Sequence, residues 1–372
     1  MAGINPSDIQ ILPLSQAETI PAAWYTHSAF HAFDEEHVMA KSWQVVGHMS
    51  QLVAPGDYVT AMIAGNPVVV VRDKEGDIRA FYNVCKHRGG PLATESCGHL
   101  RKGVLQCQYH GWTYLLDGSL RGVPRFDRTD LFDKKDFGLT PVHLAEWEGL
   151  LFVTLEEDPN PIDEQLGGIA DRIAPQKLHS KQFHSRVTYS VACNWKVYVD
   201  NYLEGYHIPL VHPELNTMLD YRNYVTETHP QYSLQHSPLK GDNGVYNADG
   251  GDAFYYWIFP NIMLNILPGR LQVNRVIPIA ADRCDVIFDY YYDDLTSPEA
   301  QKSIAEDMEF SEKVQQEDMD ICEHVQRGLA SRAYDKGRFS VDAEVGVYHF
   351  QCLLKEAYKR ALSRGNGQLL PQ

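Results

Sequence analysis

The feature that most constrains this 372-residue chain is a pair of short segments, "CKHRGGPL" at 85–92 and "CQYHGWTY" at 107–114. Each segment carries a cysteine and a histidine two or three positions apart, with glycine close behind. The four candidate ligands are Cys85, His87, Cys107 and His110. Two thiolates and two imidazoles make a complete set of four ligands, so the pattern predicts one metal site built from two loops. Such donors suit zinc or an iron–sulfur cluster.

The residues around the ligands help to choose between these metals. In a Rieske [2Fe–2S] centre, two cysteines hold one iron and two histidines hold the other. Gly89, Gly90 and Gly111 would let the backbone approach such a cluster. Zinc fingers usually place their later ligands on a helix, whereas both segments here follow strand-like sequence. The pattern therefore favours a Rieske cluster over a structural zinc site or a set of residues that binds no metal.

The sequence around these loops predicts a small all-β domain at 44–155. Strand-like runs rich in β-branched residues are separated by the turn signals "GNP" and "DKEGD", and "GLLFVTL" at 149–155 closes the region. The acidic, proline-containing segment "EEDPNPID" then reads as a linker. Residues 1–43 are expected to pack on the domain at 156–372, with a short helix at 34–43 that Asp34 would cap.

The remaining residues, 156–372, mix strands with helices. Residues 185–207 run from a strand into a helix, and three further strand-like runs follow, with "AADR" as a hairpin turn. A long helix at 298–334 and a final amphipathic helix at 346–363 complete the chain. This order predicts the α+β class, with an antiparallel sheet covered by helices.

A second candidate metal site lies in "DNYLEGYHIPLVHPEL", residues 200–215. His207 and His212 would lie roughly 140° apart around an ideal helix, so Pro209 is expected to disrupt or end the helix and bring them together. Two histidines and one carboxylate form the facial triad of non-haem iron(II) oxygenases. Taken alone, such a histidine pair is more often part of an ordinary loop. The carboxylates on the long helix that could complete the triad are Glu317, Asp318, Asp320 and Glu323.

Composition excludes some classes of partner. The net charge of −16 argues against nucleic acid, which requires a basic surface. No apolar run approaches the length of a membrane span, and the first residues, "MAGINPSDIQ", lack the basic and apolar regions of a signal peptide. Seven cysteines, an odd number, disfavour a disulfide framework and favour a reducing cytoplasm. The cysteines outside the ligand pairs are expected to be core thiols: Cys97, Cys193, Cys284, Cys322 and Cys352.

With both motifs in this order, residues from about 40 to 365 resemble the alpha subunits of Rieske non-haem iron oxygenases. The resemblance implies that Cys85 and Cys107 hold one cluster iron and that His87 and His110 hold the other. It also implies the mononuclear iron ligands, which are His207, His212 and, by matching "QQEDMD", Asp318. Glu204 matches an acidic residue that bridges the two kinds of site in the family, and Asp200 matches a position that is often polar. For Asp200, a purely structural role as a carboxylate at the start of a helix is as well supported as a functional role.

The family further implies partners and a mechanism. Its members form homotrimers, because cluster and iron within one chain are too far apart for fast electron transfer. Glu204 would then accept hydrogen bonds from His207 and from His110 of the partner subunit, and electrons would pass along this route to iron(II), where O2 reacts. No G-x-G-x-x-G fingerprint occurs, so a separate reductase or ferredoxin would bring electrons from NAD(P)H.

The substrate is less constrained by the sequence. Segments such as "IFPNIMLNILPG" and "VQRGLASRAYDKGRF" are similar to choline monooxygenases and their bacterial relatives. In "AFYYWIF" at 253–259, Tyr255 and Trp257 share one face of a strand and could line an aromatic cage for a quaternary ammonium compound such as choline or a betaine. They could equally be core aromatics. Two alternatives stay open, oxygenation of an aromatic ring or aromatic acid, and a Rieske electron carrier without oxygen chemistry. Mono- and dioxygenation are not distinguished.

Overall fold

A computed structural model describes residues 3–218, 224–238 and 252–364. The chain divides into two compact units, of which one comprises Met1–Val38 with Glu164–Gln372 and the other comprises Met39–Asp163. The predicted boundaries lay at 43/44 and 155/156, and the observed ones lie at 38/39 and 163/164. The unit Met39–Asp163 is called the small unit below, and the other is called the large unit.

The small unit consists mainly of short antiparallel strands. They form a three-stranded sheet in the order β1-β10-β9, a four-stranded sheet β4-β3-β2-β5 and a three-stranded sheet β6-β7-β8. The strands are β1 Gln44–His48, β2 Asp57–Ile63, β3 Asn66–Arg72, β4 Ile78–Tyr82, β5 Cys97–His99, β6 Leu105–Gln106, β7 Thr113–Tyr114, β8 Leu120–Gly122, β9 His143–Trp147 and β10 Leu150–Thr154. The four valines 68–71 are all buried, because β3 is an inner strand.

The large unit contains a seven-stranded antiparallel sheet in the order β11-β17-β16-β15-β14-β13-β12. Its strands are β11 Gln182–Val191, β12 Val225–His229, β13 Tyr232–Pro238, β14 Asp252–Ile258, β15 Ile262–Leu267, β16 Arg270–Ala280 and β17 Arg283–Tyr292. The α-helices of the chain are α1 Ala22–Thr26, α2 Ser28–Asp34, α3 Ile162–Gln165, α4 Ile169–Ile173, α5 Trp195–Tyr202, α6 Ile208–Val211, α7 Pro213–Met218, α8 Pro298–Leu329 and α9 Val345–Arg364. Shorter turns of 3-10 or π type occur at Leu14–Gln16, Glu35–Met39, Met49–Gln51, Lys134–Phe137, Ala174–Gln176 and Leu178–Ser180.

These elements confirm the predicted α+β class and the two long C-terminal helices. Ser297 caps α8 by accepting a hydrogen bond from the Ala300 N–H at 3.2 Å. The hairpin turn between β16 and β17 falls inside "AADR", as expected. Among the helices of the described residues, none combines the length and the apolar character that crossing a membrane requires.

Helix α8 is held in register on the sheet by a ladder of side-chain hydrogen bonds from β17. The Tyr292 hydroxyl donates to Asp307 at 2.6 Å, and one step further the hydroxyls of Tyr290 and Ser311 lie 2.9 Å apart. Four residues of helix rise about 6 Å and two residues of strand about 7 Å, so the two repeats stay in step. This match fixes which residues of α8 face the sheet further along the helix.

The prediction that Asp34 caps a helix is wrong. Asp34 is instead the last residue of α2, and it is fully buried beneath α5 and α9. It accepts hydrogen bonds from the Trp195 indole N–H at 2.9 Å, from the Tyr358 hydroxyl at 2.5 Å and from the buried Lys196 ammonium. A capping residue needs one local partner, whereas Asp34 ties three distant segments together, which no local pattern could reveal.

This ion pair generates a stability prediction. Asp34→Ala would leave the Lys196 ammonium buried without its counter-charge, which costs about 3–5 kcal/mol. Differential scanning calorimetry should show the melting temperature of the large unit falling by about 10 °C. Glu36→Ala, at a side chain that is 75% exposed two residues away, is the matched control and should change little. Equal melting temperatures for the two variants would contradict a stabilising role for Asp34.

Candidate active site

The two cysteine–histidine loops of the small unit have the same backbone design. In each, the cysteine N–H donates to the carbonyl five residues on, and the N–H four residues on donates back to the cysteine carbonyl. The bonds are Cys85 to Gly90 at 2.9 Å, Gly89 to Cys85 at 2.9 Å, Cys107 to Trp112 at 2.8 Å and Gly111 to Cys107 at 3.0 Å. Gly89 and Gly111, at equivalent positions, have φ of +71° and +75°, which glycine adopts without strain.

These loops bring the four predicted ligands together. The rings of His87 and His110 lie 4.7 Å apart, and both cysteines are buried. Burial raises the pKa of the Cys85 thiol, and its Sγ lies 3.4 Å from the Tyr114 hydroxyl. Within the described residues, the buried Nδ1 of His87 has no hydrogen-bond partner. Paired buried sulfurs and an imidazole nitrogen without a partner fit a cluster bound by two cysteines and two histidines.

The side chains of the second predicted metal site come together in the large unit. His207, His212 and Asp318 offer ligand atoms that all lie within 4.8 Å of one another. Asp318 Oδ1 lies 3.0 Å from His212 Nε2 and 3.7 Å from His207 Nε2. Asp318 also accepts a hydrogen bond from the Asn201 amide at 2.6 Å. Two imidazoles and one carboxylate that converge in this way fit the donor set of a mononuclear iron(II) site.

Carboxylates orient both imidazole rings. His207 Nδ1 lies 2.8 Å from Glu204, and His212 Nδ1 lies 2.7 Å from Glu317, so each ring presents Nε2 towards Asp318. Burial lowers the pKa of His212, but the hydrogen bonds and charges of Asp318 and Glu317 outweigh it and the net pKa is raised. Outer carboxylates of this kind fix the tautomer of a metal-binding histidine. The other two acidic candidates have different partners. Asp320 accepts a hydrogen bond from the Gln316 amide, and Glu323 accepts one from the Ala192 N–H.

The local path of the chain differs from the prediction for Pro209. Helix α5 ends at Tyr202, five residues before His207, and Pro209 lies in the first turn of the short helix α6. Proline is favoured there, because the first turn of a helix has no acceptor for its N–H. Pro209 therefore does not end the helix. The irregular segment 203–207 separates the two helices and turns the chain.

A cavity of about 980 Å³, measured up to and including its open mouth, adjoins the His207–His212–Asp318 cluster. Its aromatic lining comprises Tyr198, Tyr202, Tyr224, Tyr255, Phe288 and Phe310. Of the two predicted pocket aromatics, Tyr255 lines this cavity, but Trp257 belongs to the core, where it packs on Phe350 and donates to the Pro260 carbonyl at 3.1 Å. Tyr255 and Trp257 lie on the same face of β14, but of these two only Tyr255 lines the cavity.

Asp200 is not among the residues that line this cavity. It lies in the last turn of α5, so its interpretation as a helix-start carboxylate is wrong. It accepts a hydrogen bond from the Tyr25 hydroxyl at 2.6 Å and another from the Gln351 amide at 3.2 Å. Removal from water raises the pKa of Asp200 to about 7, although these hydrogen bonds act to lower it. Its predicted catalytic role stays a prediction.

The remaining cysteines follow the prediction in part. Cys193, Cys284 and Cys322 are buried thiols, as expected. Cys97 is exposed on the short strand β5, so its assignment to the core is wrong, and Cys352 is only half-buried. Sequence reasoning also missed Asn201, Tyr202 and Tyr224. The first two stand inside the quoted histidine motif, but nothing local marks them as cavity residues.

Comparisons with known proteins identify the family. The family model "Rieske [2Fe-2S] domain" matches residues 42–138, and "Ring hydroxylating alpha subunit (catalytic domain)" matches residues 178–360. Choline monooxygenase from Arabidopsis thaliana chloroplasts is 37% identical over 94% of this chain and 85% of the relative. The chain belongs to the Rieske ring-hydroxylating oxygenases. The carnitine monooxygenase oxygenase subunit of Escherichia coli is 33% identical over 92% of this chain and 95% of that protein.

Solved structures agree with this assignment. The quaternary ammonium Rieske monooxygenase CntA in complex with L-carnitine has a TM-score of 0.84 at 30% identity, covering 96% of this chain and 99% of that one. Naphthalene 1,2-dioxygenase from Rhodococcus sp., at 18% identity and a TM-score of 0.75, shares the fold. The chain is thus an oxygenase subunit with a Rieske cluster, mononuclear iron and O2 as co-substrate, and a partner supplies its electrons. The catalytic-domain match removes the alternative of a simple electron carrier.

The packing of Gly90 gives a prediction for the cluster loops. A Cβ atom at Gly90 would lie 2.9 Å from Cys107 Sγ, closer than real Cβ contacts allow. Gly90→Ala should therefore lower the acid-labile sulfide content per chain several-fold. Gly122→Ala is the matched control in the same unit, because its Cβ would meet nothing nearer than Thr113 at 4.0 Å. Full cluster content in Gly90→Ala would show that the sulfur does not need this space.

The raised pKa of Asp200 gives a pH prediction. A carboxyl group whose folded pKa is about 7 binds its proton more tightly in the folded state than in the unfolded state, where the pKa is near 3.8. The contribution of Asp200 to stability is therefore complete below about pH 4 and is lost as pH rises to about 7. Wild type should lose about 3 kcal/mol relative to Asp200→Asn between pH 5 and pH 8. Thermal unfolding of both proteins at each pH measures this, and a difference that does not change with pH would contradict it.

Proposed function

We propose that this chain is a terminal oxygenase that hydroxylates a small quaternary ammonium compound such as choline or a betaine. The observation that carries the proposal is a wall of three tyrosines, Tyr202, Tyr224 and Tyr255, in the cavity that also contains the His207–His212–Asp318 cluster. Relatives of this chain are named for choline and carnitine, and a solved relative is described as a quaternary ammonium Rieske monooxygenase.

Two of the three tyrosines, Tyr202 and Tyr224, use their hydroxyl groups in hydrogen bonds within the protein. The Tyr202 hydroxyl donates to Asn265 at 2.6 Å, and the Tyr224 hydroxyl donates to Gln235 at 2.8 Å. Burial raises the pKa of Tyr202, and the neighbouring Tyr224 and Tyr255 raise it further, so the Tyr202 phenol stays neutral. Burial also raises the pKa of Tyr255 to about 12. A quaternary ammonium group cannot donate hydrogen bonds and is recognised by ring faces through cation–π attraction.

The charges around the cavity support a cationic substrate over an aromatic acid. Glu204 and Asp318 contribute carboxylates to the lining. The Arg270 guanidinium, also in the lining, pairs with Asp307 at 2.8 Å, so its charge is matched within the protein. A carboxylate substrate would have to compete with Asp307 for Arg270, whereas a quaternary ammonium group held by ring faces does not depend on Arg270.

We propose the following roles for the site residues. Cys85, Cys107, His87 and His110 would hold the cluster, and His207, His212 and Asp318 would hold the mononuclear iron. When bound, these groups supply stored electrons and the site at which O2 is activated. Glu204 and Glu317 hold the imidazole tautomers, Asn201 orients the Asp318 carboxylate, and the tyrosine wall positions the substrate and excludes water.

The proposed assembly is a homotrimer served by a reductase or ferredoxin that draws on NAD(P)H. His110 is exposed on its loop beside Tyr109, which is 63% exposed, so both are available to a partner surface. In the trimer, His110 of the partner subunit would lie against Glu204. The description of one solved relative refers to inter-subunit electron transfer. The cytoplasmic location predicted from the cysteine count stays a prediction.

A single-turnover experiment tests the proposed function without knowledge of the reductase. Enzyme reduced with dithionite is mixed with O2 and either choline, glycine betaine or L-carnitine, or benzoate or naphthalene, and the products are identified by mass spectrometry. An oxidised product from a quaternary ammonium compound, and none from the aromatic compounds, is expected. Product from an aromatic compound alone would contradict the proposal.

The tyrosine wall makes a separate prediction about affinity. Tyr255→Leu removes a ring that contributes cation–π attraction, so it should raise the dissociation constant of the accepted ammonium compound about tenfold. Tyr255→Phe keeps the ring and is the matched comparison, with an expected change of less than about threefold. Isothermal titration calorimetry measures both constants. If Phe weakens binding as much as Leu, the hydroxyl group and not the ring carries the affinity.

A further inference from the structure

Two buried polar groups in the lining of the cavity have no hydrogen-bond partner in the part of the chain that the structure describes. They are the Gln315 amide nitrogen, Nε2, and the Asn274 amide oxygen, Oδ1. Gln315 is 2% exposed and Asn274 is 3% exposed, so neither side chain has bulk solvent around it. Buried polar groups are normally satisfied, and exceptions need an explanation.

The orientation of Gln315 is set by its other end. Its Oε1 accepts a hydrogen bond from the Tyr198 hydroxyl at 2.5 Å. Tyr198 is itself buried, and burial raises its pKa well above the ordinary value, so the phenol keeps its proton and acts as the donor. The Gln315 NH2 group is therefore left as a donor without a partner among the described residues, on a side chain that belongs to the cavity lining.

The strand–helix ladder indicates which parts of α8 and the sheet carry the two residues. Ser311 meets Tyr290, whose register partner on β16 is Gln272. Gln315 lies one helical turn after Ser311 on α8. On the sheet, the next pair on the same face, two residues from Tyr290 and Gln272, is Phe288 with Asn274. Gln315 and Asn274 both line the cavity. Gln315 lies three residues before Asp318, the proposed iron ligand, on the same side of α8.

We propose that Gln315 and Asn274 bind an alcohol hydroxyl of the substrate. A hydroxyl group can accept a hydrogen bond from the Gln315 NH2 group and donate its own proton to Asn274 Oδ1. A carboxylate can only accept, so it would leave Asn274 unsatisfied, and a trimethylammonium group can do neither. The inference rests on the proposed function and narrows it, because the substrate is then a quaternary ammonium alcohol held by its cation at the tyrosine wall.

Substrate pairs that differ by one hydroxyl group test this on the wild-type enzyme. L-carnitine is compared with γ-butyrobetaine, and choline with ethyltrimethylammonium, by titration calorimetry on the iron-loaded enzyme and by single turnover. In the pair that the cavity accepts, the alcohol should bind about ten- to a hundredfold more tightly, since its analogue leaves two buried groups unpaired. Equal dissociation constants within each pair would overturn the inference.

Variants locate the effect at these two residues. Asn274→Leu and Gln315→Met should reduce the affinity for the alcohol to that for its analogue, without weakening the analogue. Gln316→Met makes the same change at the exposed neighbouring position of α8 and should keep the wild-type preference. A preference that survives in both cavity variants overturns the assignment. If a variant fails to fold, the wild-type pairs still decide.

The failure of this inference is distinguishable from failure of the proposed function. Turnover of both members of a pair with equal affinity would refute the hydroxyl site and leave a quaternary ammonium oxygenase in place. Turnover of glycine betaine alone, with none of the four compounds accepted, would refute the hydroxyl site and leave the proposed function in place. No turnover or binding of glycine betaine or of any of the four compounds would refute the proposed function, and the hydroxyl site with it.

Discussion

A single carboxylate oxygen within reach of two imidazole rings is the contact on which the proposed active site of this protein depends. Asp318 Oδ1 lies 3.0 Å from one histidine nitrogen and 3.7 Å from the other, although the two parts of the chain are more than a hundred residues apart. Its position is set by α8, which the tyrosine ladder from β17 holds in register. Any slip of that helix would separate the carboxylate from both rings.

The two units bring their candidate ligands together in different ways. In the small unit, two equivalent loops each close on themselves through the backbone, and glycine gives the sharp turn and the space beside the sulfur. In the large unit, side chains orient the candidate ligands, because Glu204 and Glu317 contact the histidine Nδ1 atoms on the side away from Asp318. The first solution is local in sequence, and the second depends on tertiary packing.

This difference explains how much the sequence could predict. Residues on short loops are visible as spacing, so the cysteine–histidine pairs and the histidine motif could be proposed as candidate ligands. The long helices and the strand alternation could be predicted as well. Partners that meet only through the fold left no local signal. Asp34 was misread as a cap, because its partners Lys196 and Tyr358 lie 162 and 324 residues away. Pro209 was misread because its effect depends on where α5 had already ended.

The cavity lining shows the same limit. Alternation along β14 correctly placed Tyr255 and Trp257 on one face, but which part of that face borders a cavity is decided by the elements packed on it. The paired Gln315 and Asn274 come from α8 and β16, and each looks like an ordinary core polar residue in its own segment. Their proposed common role in binding a substrate hydroxyl group can be inferred only when the register of α8 is combined with the register of the sheet.

The central claim, that one chain carries a cluster and a separate iron bound by Asp318, is tested most directly by metal analysis. Iron and acid-labile sulfide per chain are measured with the EPR spectrum after dithionite reduction, on wild type, Asp318→Ala and the control Asp320→Ala. Wild type and Asp320→Ala should hold about three irons and two sulfides, and Asp318→Ala about one iron fewer with an unchanged Rieske signal. Zinc in place of iron, or an Asp318→Ala variant that keeps all its iron, would contradict the account.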